Sequence, residues 1–154
     1  MSIKHMTAGV FALALAFLIH SISVADSHAK DDSDAEEVRH RLVIQVSTDD
    51  PRTQTIALNN AVNLQKHYGI DNIDIEIVAY GPGLGMLTEK SSVMDRVSSL
   101  SLQEVAFSAC GNTMQTIEKK TGVAPKLIEG VGTVQAGVAR IMELQEQGYS
   151  YIRP

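Results

Sequence analysis

The chain has 154 residues, a formal net charge of −5, a single cysteine and no tryptophan. Its length fits one domain, and an acidic balance without a cluster of lysine or arginine excludes the basic surface that nucleic acid or an anionic membrane attracts. We therefore expect neither as a partner. One cysteine also excludes an internal disulfide, so Cys110 is a packed side chain, part of an intermolecular bond or a reactive thiol.

The first 25 residues have the composition of a secretory signal peptide. Lys4 begins a short basic region, residues 6–19 are almost wholly apolar, and residues 23–25 supply the small side chains of a cleavage site. An uncleaved membrane anchor is the alternative, but His20 interrupts the run, which falls short of the roughly 20 apolar residues that span a bilayer. We expect cleavage after residue 25, export to the periplasm or the medium, and no stable membrane insertion afterwards.

Residues 26–39 are polar and mostly acidic, which predicts a disordered linker before a domain at residues 40–154. Within that domain, runs of β-branched or alternating apolar residues predict strands at 41–47, 72–80, 104–109, 131–134 and 149–152. Apolar residues at helical spacing predict helices at 51–68, 92–101, 112–121 and 137–147. Strands that alternate with helices at these intervals predict an α/β domain with a mostly parallel sheet covered on both faces, and the last strand lies at its edge.

Reactive groups of an open parallel sheet gather beyond the carboxyl ends of its strands. Three segments of the chain meet this description: 47–50, 80–85 and 109–113. Cys110 lies in the third, at the predicted start of a helix, where unpaired N–H groups and the helix dipole stabilise a thiolate. Gly111 permits a sharp turn there, and Asn112 or Thr113 can cap the helix. The position favours a reactive thiol, although lone cysteines are also among the most buried residues.

The glycine-rich segment GPGLG, residues 81–85, is predicted to be a loop that shapes a pocket through Tyr80, Gly81 and Gly83. It follows a strand, as phosphate-binding loops do. However, Pro82 lacks an N–H, and neither a lysine nor a hydroxyl follows in the spacing of a P-loop. We therefore expect no nucleotide or flavin, and no other cofactor.

Several other polar residues have two interpretations. Asp49 and Asp50 are either an acid/base pair or, as we favour, a helix cap and its solvated neighbour. Asn60 flanks the apolar face of the first helix, where its amide either reaches a neighbouring loop in the pocket or satisfies backbone groups. His40 and His67 have no paired ligand spacing, so no metal site is expected.

Five stretches together resemble the DsrE/DsrF-like family of small sulfur-relay proteins, and its uncharacterised exported branch in particular: STDDP, ALNNAVNL, VAYGPGL, ACGNT and GVARIMELQEQGYSYIRP. The resemblance covers about residues 40–154. It implies a flavodoxin-like, three-layer α/β domain with a four- to five-stranded sheet that forms a homo-oligomer, a trimer or a hexamer. In relay members, a cysteine after the third strand accepts sulfane sulfur as a persulfide and passes it to a partner, and Cys110 matches that position.

Two functions follow as hypotheses. In the first, Cys110 is the catalytic thiol of a sulfur carrier or sulfurtransferase, with donor and acceptor proteins still to be identified. Its predicted pocket comprises Gly111, Asn112, Thr113, Asp49, Tyr80, Gly81, Gly83 and Asn60. In the second, the protein is a non-catalytic oligomeric module in which Cys110 is packed and Tyr149, Tyr151 and Ile152 serve subunit contacts. A solvent-accessible thiol favours the first function, and a fully buried thiol without a pocket favours the second.

Overall fold

The structure, a computed structural model, describes residues 39–154. The predicted signal peptide and all but the last residue of the predicted linker lie outside this part. In the part described, no helix has the length and apolar character needed to cross a membrane.

Strands and helices alternate along the described chain: β1 (His40–Val46), α1 (Pro51–Tyr68), β2 (Ile73–Ala79), α2 (Met94–Ser101), β3 (Ala106–Cys110), α3 (Gly111–Thr121), β4 (Gly132–Val134), α4 (Gly137–Glu146) and β5 (Ser150–Ile152). Short 3-10 helices occupy Ile70–Asn72 and Gly81–Leu87. The order of elements is the predicted one. The elements begin or end within two residues of their predicted bounds, because periodicity marks where an element lies better than where it ends.

The five strands form one sheet in the order β4-β3-β2-β1-β5, and every neighbouring pair is parallel. The predicted α/β class and parallel sheet are therefore confirmed. From β1 to β4 the chain adds strands in one direction, and β5 then returns to the far side of β1. Because such crossovers are right-handed, α1, α2 and α3 cover one face of the sheet and α4 covers the other.

Alternate side chains of the central strands pack into two separate cores. Ile44 and Ile77 face the core beneath α1–α3, whereas Val43 and Val78 face α4, where they meet Leu144. All five residues are completely buried. Burial on both faces explains why β1 and β2 read as nearly continuous apolar runs.

Helix α1 begins and ends where the sequence predicts. Of the two candidate caps, Asp50 is the one used: its carboxylate accepts hydrogen bonds from the Thr53 N–H at 2.8 Å and from the Thr53 hydroxyl at 2.7 Å. These bonds lower the pKa of Asp50 below its ordinary value, the bond from the hydroxyl most of all. Gly69, with a φ of +91°, ends the helix.

The segment GPGLG is not the loop that its glycines predict but the first part of the 3-10 helix Gly81–Leu87. Leu84, Met86 and Leu87 in this helix are completely buried. Because burial of these apolar side chains is favourable, the segment packs against the core of the domain and is not an exposed loop.

Candidate functional site

Cys110 is the last residue of β3 and immediately precedes the first turn of α3. Phe107 and Ala109 face the core beneath α1–α3. Since alternate residues of a strand face opposite sides, the Cys110 side chain lies on the face that α4 covers. The residue is only 5% exposed, although it stands at the carboxyl edge of the sheet. The thiol is therefore in the predicted place but is covered in this conformation.

The N-termini of two helices meet at the Cys110 thiol. Burial by itself would raise the pKa of this thiol, but the nearby Thr113 hydroxyl and the N–H groups of Gly137, Thr113 and Asn112 outweigh it, so the pKa is lowered. The Asn112 N–H also donates to the Gln135 carbonyl at 3.1 Å. Thr113 and Asn112 belong to the first turn of α3, and Gly137 is the first residue of α4. The sequence predicted one helix N-terminus at this thiol; the fold provides two.

Thr113 links the thiol to the 3-10 helix. The N–H of Gly81 donates to the Thr113 hydroxyl oxygen at 3.0 Å. A hydroxyl that accepts from one side keeps its own hydrogen free to donate, and Thr113 helps to lower the pKa of the Cys110 thiol. Gly81 has a φ of +54°, a left-handed conformation that glycine adopts without strain.

The first turn of α3 differs from the prediction in two ways. Neither Asn112 nor Thr113 caps the helix; Cys110 occupies the cap position, and no side chain caps the helix there. Gly111 has no left-handed φ, so it does not serve as a sharp turn. A Cβ at Gly111 would lie 3.1 Å from the Val134 carbonyl oxygen, so the glycine lets α3 approach the end of β4 closely.

The structure brings together six of the predicted site residues. Gly111, Asn112 and Thr113 adjoin Cys110, and Gly81 joins them through Thr113. Tyr80 packs beside the start of α4, where its Cδ1 would lie 3.1 Å from a Cβ added at Gly137.

The three remaining predicted residues lie apart from this group. Gly83 is buried against the end of β1, so it supports the 3-10 helix rather than lining a pocket. Asp49 is exposed after β1, and no hydrogen bond among residues 39–154 joins it to Cys110. Asn60 lies about 14 Å along α1 from its first residue, Pro51, and α1 is on the opposite face of the sheet from the thiol. We therefore find no contact that makes Asp49 or Asn60 part of the Cys110 site.

A buried polar cluster on the same face was not predicted from the sequence. Glu76 of β2 is 5% exposed, and its carboxylate accepts from the Ser108 hydroxyl at 2.6 Å. Arg140 of α4 donates to both carboxylate oxygens, from Nε at 2.9 Å and from Nη2 at 2.8 Å. One signal was available: Glu76 is a charged residue at the centre of the otherwise buried strand IDIEIVA.

Two cavities lie near this edge of the molecule. One of about 260 Å³ is lined by residues 134–136 and by Ala139, Arg140 and Glu143. The other, of about 670 Å³, lies between the 3-10 helix and the second half of α3. Cys110 lines neither. Over residues 39–154, no three His, Cys, Asp or Glu side chains are grouped as metal ligands would be.

Comparisons with known proteins place the fold. Neither a protein-family model nor a curated protein matches the chain. Among solved structures, the chain is similar to the protein of unknown function MTH1491 from Methanobacterium thermoautotrophicum, with 34% identity and a TM-score of 0.67 over 75% of this chain and 99% of that one. It also resembles the ychN protein from E. coli, with 12% identity and a TM-score of 0.59 over the same shares, a likeness of fold alone. The chain thus belongs to the family of the MTH1491 protein, within the DsrE/YchN-like fold family.

Proposed function

We propose that the protein is a thiol-based sulfur carrier, a possible sulfurtransferase, in which Cys110 accepts a sulfane sulfur and passes it to another thiol. The observation that carries the proposal is the convergence of the first turns of α3 and α4 on the Cys110 sulfur. A lone cysteine that merely packs needs no such donors, whereas a nucleophilic thiolate is stabilised by them. Membership of a fold family that includes sulfur-relay proteins agrees with this chemistry.

The reaction needs no cofactor and no net oxidation. The Cys110 thiolate attacks the outer sulfur of a donor persulfide or thiosulfate, the sulfur–sulfur bond of the donor breaks, and the donor leaves as a thiolate or as sulfite. Cys110 then carries a persulfide. A thiolate on the acceptor attacks the terminal sulfur, and Cys110 leaves as a thiolate. The same N–H groups that stabilise the attacking thiolate also stabilise Cys110 as the leaving group.

A second function is favoured by the burial of the thiol. Cys110 is 5% exposed and lines no cavity, as expected of a structural cysteine in a non-catalytic oligomeric module. For the carrier, a segment that covers the thiol has to move. Helix α4 covers that face of the sheet, and the first turn of α3 adjoins the thiol. Of these two helices, α3 is the candidate to move, because it contains no buried residue, whereas Ile141 and Leu144 anchor α4.

The setting of the carrier is also part of the proposal. The composition of residues 1–25 supports action in the periplasm or outside the cell. We propose a homo-oligomer, a trimer or a hexamer, that exchanges sulfur with separate donor and acceptor proteins. Tyr149, Tyr151 and Ile152 of the C-terminal edge are available for subunit contacts, and Tyr151 is 40% exposed.

The test is sulfur loading of the purified protein. We would incubate it with polysulfide or thiosulfate and measure the intact mass, with Cys110→Ser as the matched control. We expect an added mass of one sulfur atom that a reductant removes and that the variant does not acquire. If Cys110 reacts with a thiol reagent after denaturation but takes up no sulfur in the folded protein, the cysteine is structural and the carrier function is refuted.

A further inference from the structure

The ion pair between buried Glu76 and partly exposed Arg140 has no place in the sulfur-transfer steps, yet it lies on the same face of the sheet as Cys110. We propose that Glu76 and Arg140 are positioning residues that hold the first turn of α4 against the Cys110 thiol. The purpose of this positioning rests on the proposed function, but the contacts and the test, which is the pKa of Cys110, do not require sulfur transfer.

On the helix side, Arg140 lies three residues after Gly137, which is nearly one turn of α4. The N–H of Arg140 donates to the Ala136 carbonyl at 3.0 Å, so the residue is part of the first hydrogen-bonded turn. The buried side chains Ile141 and Leu144 anchor the later turns. Gly137 is buried but has no side chain. The Arg140 guanidinium is therefore the side-chain anchor of the turn that meets Cys110.

On the sheet side, Glu76 is held by Ser108 of the neighbouring strand. Ser108 and Cys110 are two residues apart on β3 and point to the same face, about 7 Å from one another. The contacts thus run from Cys110 along β3 to Ser108, across to Glu76 and up to Arg140 in the first turn of α4. Cys110 also pairs in the sheet with Val134, three residues before Gly137, which places the start of α4 beside the end of β3. Each link fixes the next, so the position of the Gly137 N–H depends on the ion pair.

An ion pair is not the interaction that stabilises the docking of a helix most strongly. Two charges lose their hydration on burial, and apolar side chains of similar volume often stabilise a fold as well or better. A bidentate guanidinium–carboxylate contact instead fixes both the distance and the rotation of α4. The rotation of α4 about its axis sets the direction of the Gly137 N–H relative to the sulfur. An apolar contact would not fix that rotation.

The test is the pKa of Cys110 in Glu76→Gln, read from the ultraviolet absorbance of the thiolate. The Cys110→Ser form of each protein serves as its background, since it keeps the 4 tyrosines and its subtraction removes their absorbance. We expect the pKa to rise by about one pH unit, because one N–H bond to the thiolate is lost or weakened. A purely electrostatic effect has the opposite sign, since removal of a negative charge from this face would lower the pKa.

Asp74→Asn is the matched control. Asp74 lies on the same strand and face as Glu76 but pairs with Arg39 at 2.8 Å and with Arg41 at 3.8 Å, and it makes no bond to α4. Its substitution should leave the Cys110 pKa unchanged within error. Glu143 and Tyr149 are the other ionisable groups near the pair, and neither is altered in these variants.

An unchanged or lowered pKa in Glu76→Gln would overturn the proposal. If that variant does not fold, the charge-neutral pair Glu76→Leu with Arg140→Met takes its place. The positioning role then predicts a raised pKa in a folded protein, and an unchanged pKa refutes it. Sulfur loading is measured separately. A thiol that takes up no sulfur but whose pKa rises in Glu76→Gln would refute the carrier function and leave the positioning role intact.

Discussion

Gly83 and Gly85 lie two residues apart in the same 3-10 helix, yet their surroundings differ sharply. A Cβ at Gly83 would lie 2.3 Å from the Val46 carbonyl oxygen, a distance that real atoms do not tolerate. A Cβ at Gly85 would meet nothing within 4 Å. The glycines of GPGLG therefore have separate roles, and the close approach at Gly83 seats the 3-10 helix on the end of β1.

At the residue scale, we expect Gly83→Ala to lower the free energy of unfolding by about 2–4 kcal/mol, because the backbone of β1 or of the 3-10 helix has to shift. Gly85→Ala should change it by less than about 0.5 kcal/mol. Urea denaturation of the two variants and the wild type measures both values. Equal stability of the two alanine variants would show that the helix can move away from Val46 at little cost.

Helix α3 differs from α1 in how firmly it is held. None of its 11 residues is buried, and Met114 and Ile117 are only partly covered where they pack against the main core. By contrast, α1 has buried residues at Gln54, Ala57, Leu58, Ala61 and Gln65. Because the first turn of α3 adjoins Cys110, opening α3 would uncover the thiol on that side, while α4 covers it from the other.

At the element scale, we expect the backbone amides of α3 to exchange with solvent at least about tenfold faster than those of α1. The reason is that opening α3 exposes little buried apolar surface. Native-state hydrogen exchange measures both helices in one sample, with α1 as the internal reference. Equal protection of the α3 and α1 amides would contradict this expectation. Contacts between α3 and a second copy of the chain would then be the first cause to examine.

At the scale of the whole molecule, within residues 39–154, the two faces of the sheet are covered unequally, by three helices on one side and by α4 alone on the other. The outer face of α4 carries Val138 and Met142, which are each 60% exposed and lie four residues apart. Neighbouring exposed apolar side chains on one helix face are typical of a surface that meets another protein. A second copy of this chain is the partner that the proposed homo-oligomer supplies.

At this scale, we expect sedimentation velocity to give a mass of several chains and Met142→Glu to lower it, because a charge would be buried between copies. Gln115→Glu adds a negative charge at an exposed position of α3, on the other side of the sheet, and serves as the control. A monomer at all accessible concentrations would remove the oligomer from the proposed function. If the mass is unchanged in Met142→Glu, the contact lies elsewhere, with Tyr151 and the β5 edge next to be tested.

The order and type of the elements followed from the sequence, because apolar periodicity and the boundary residues Pro51, Gly69 and Gly122 are local signals. It also placed Cys110 between β3 and α3, since a strand followed directly by a helix leaves the intervening residue at the carboxyl edge. The conformation of GPGLG was not determined locally, because the 3-10 helix depends on the burial of Leu84, Met86 and Leu87 against the sheet beneath them.

The surroundings of the thiol depend on contacts between residues that are distant in the chain. Glu76 and Arg140 are 64 residues apart in the chain, and Gly137 reaches Cys110 from a different helix. No local pattern records these contacts, because they depend on β5 returning to the far side of β1, which sends α4 across the opposite face of the sheet. The position of the thiol could be predicted from the sequence. The second helix N-terminus and the ion pair beside it could not, because they depend on how the chain folds in three dimensions.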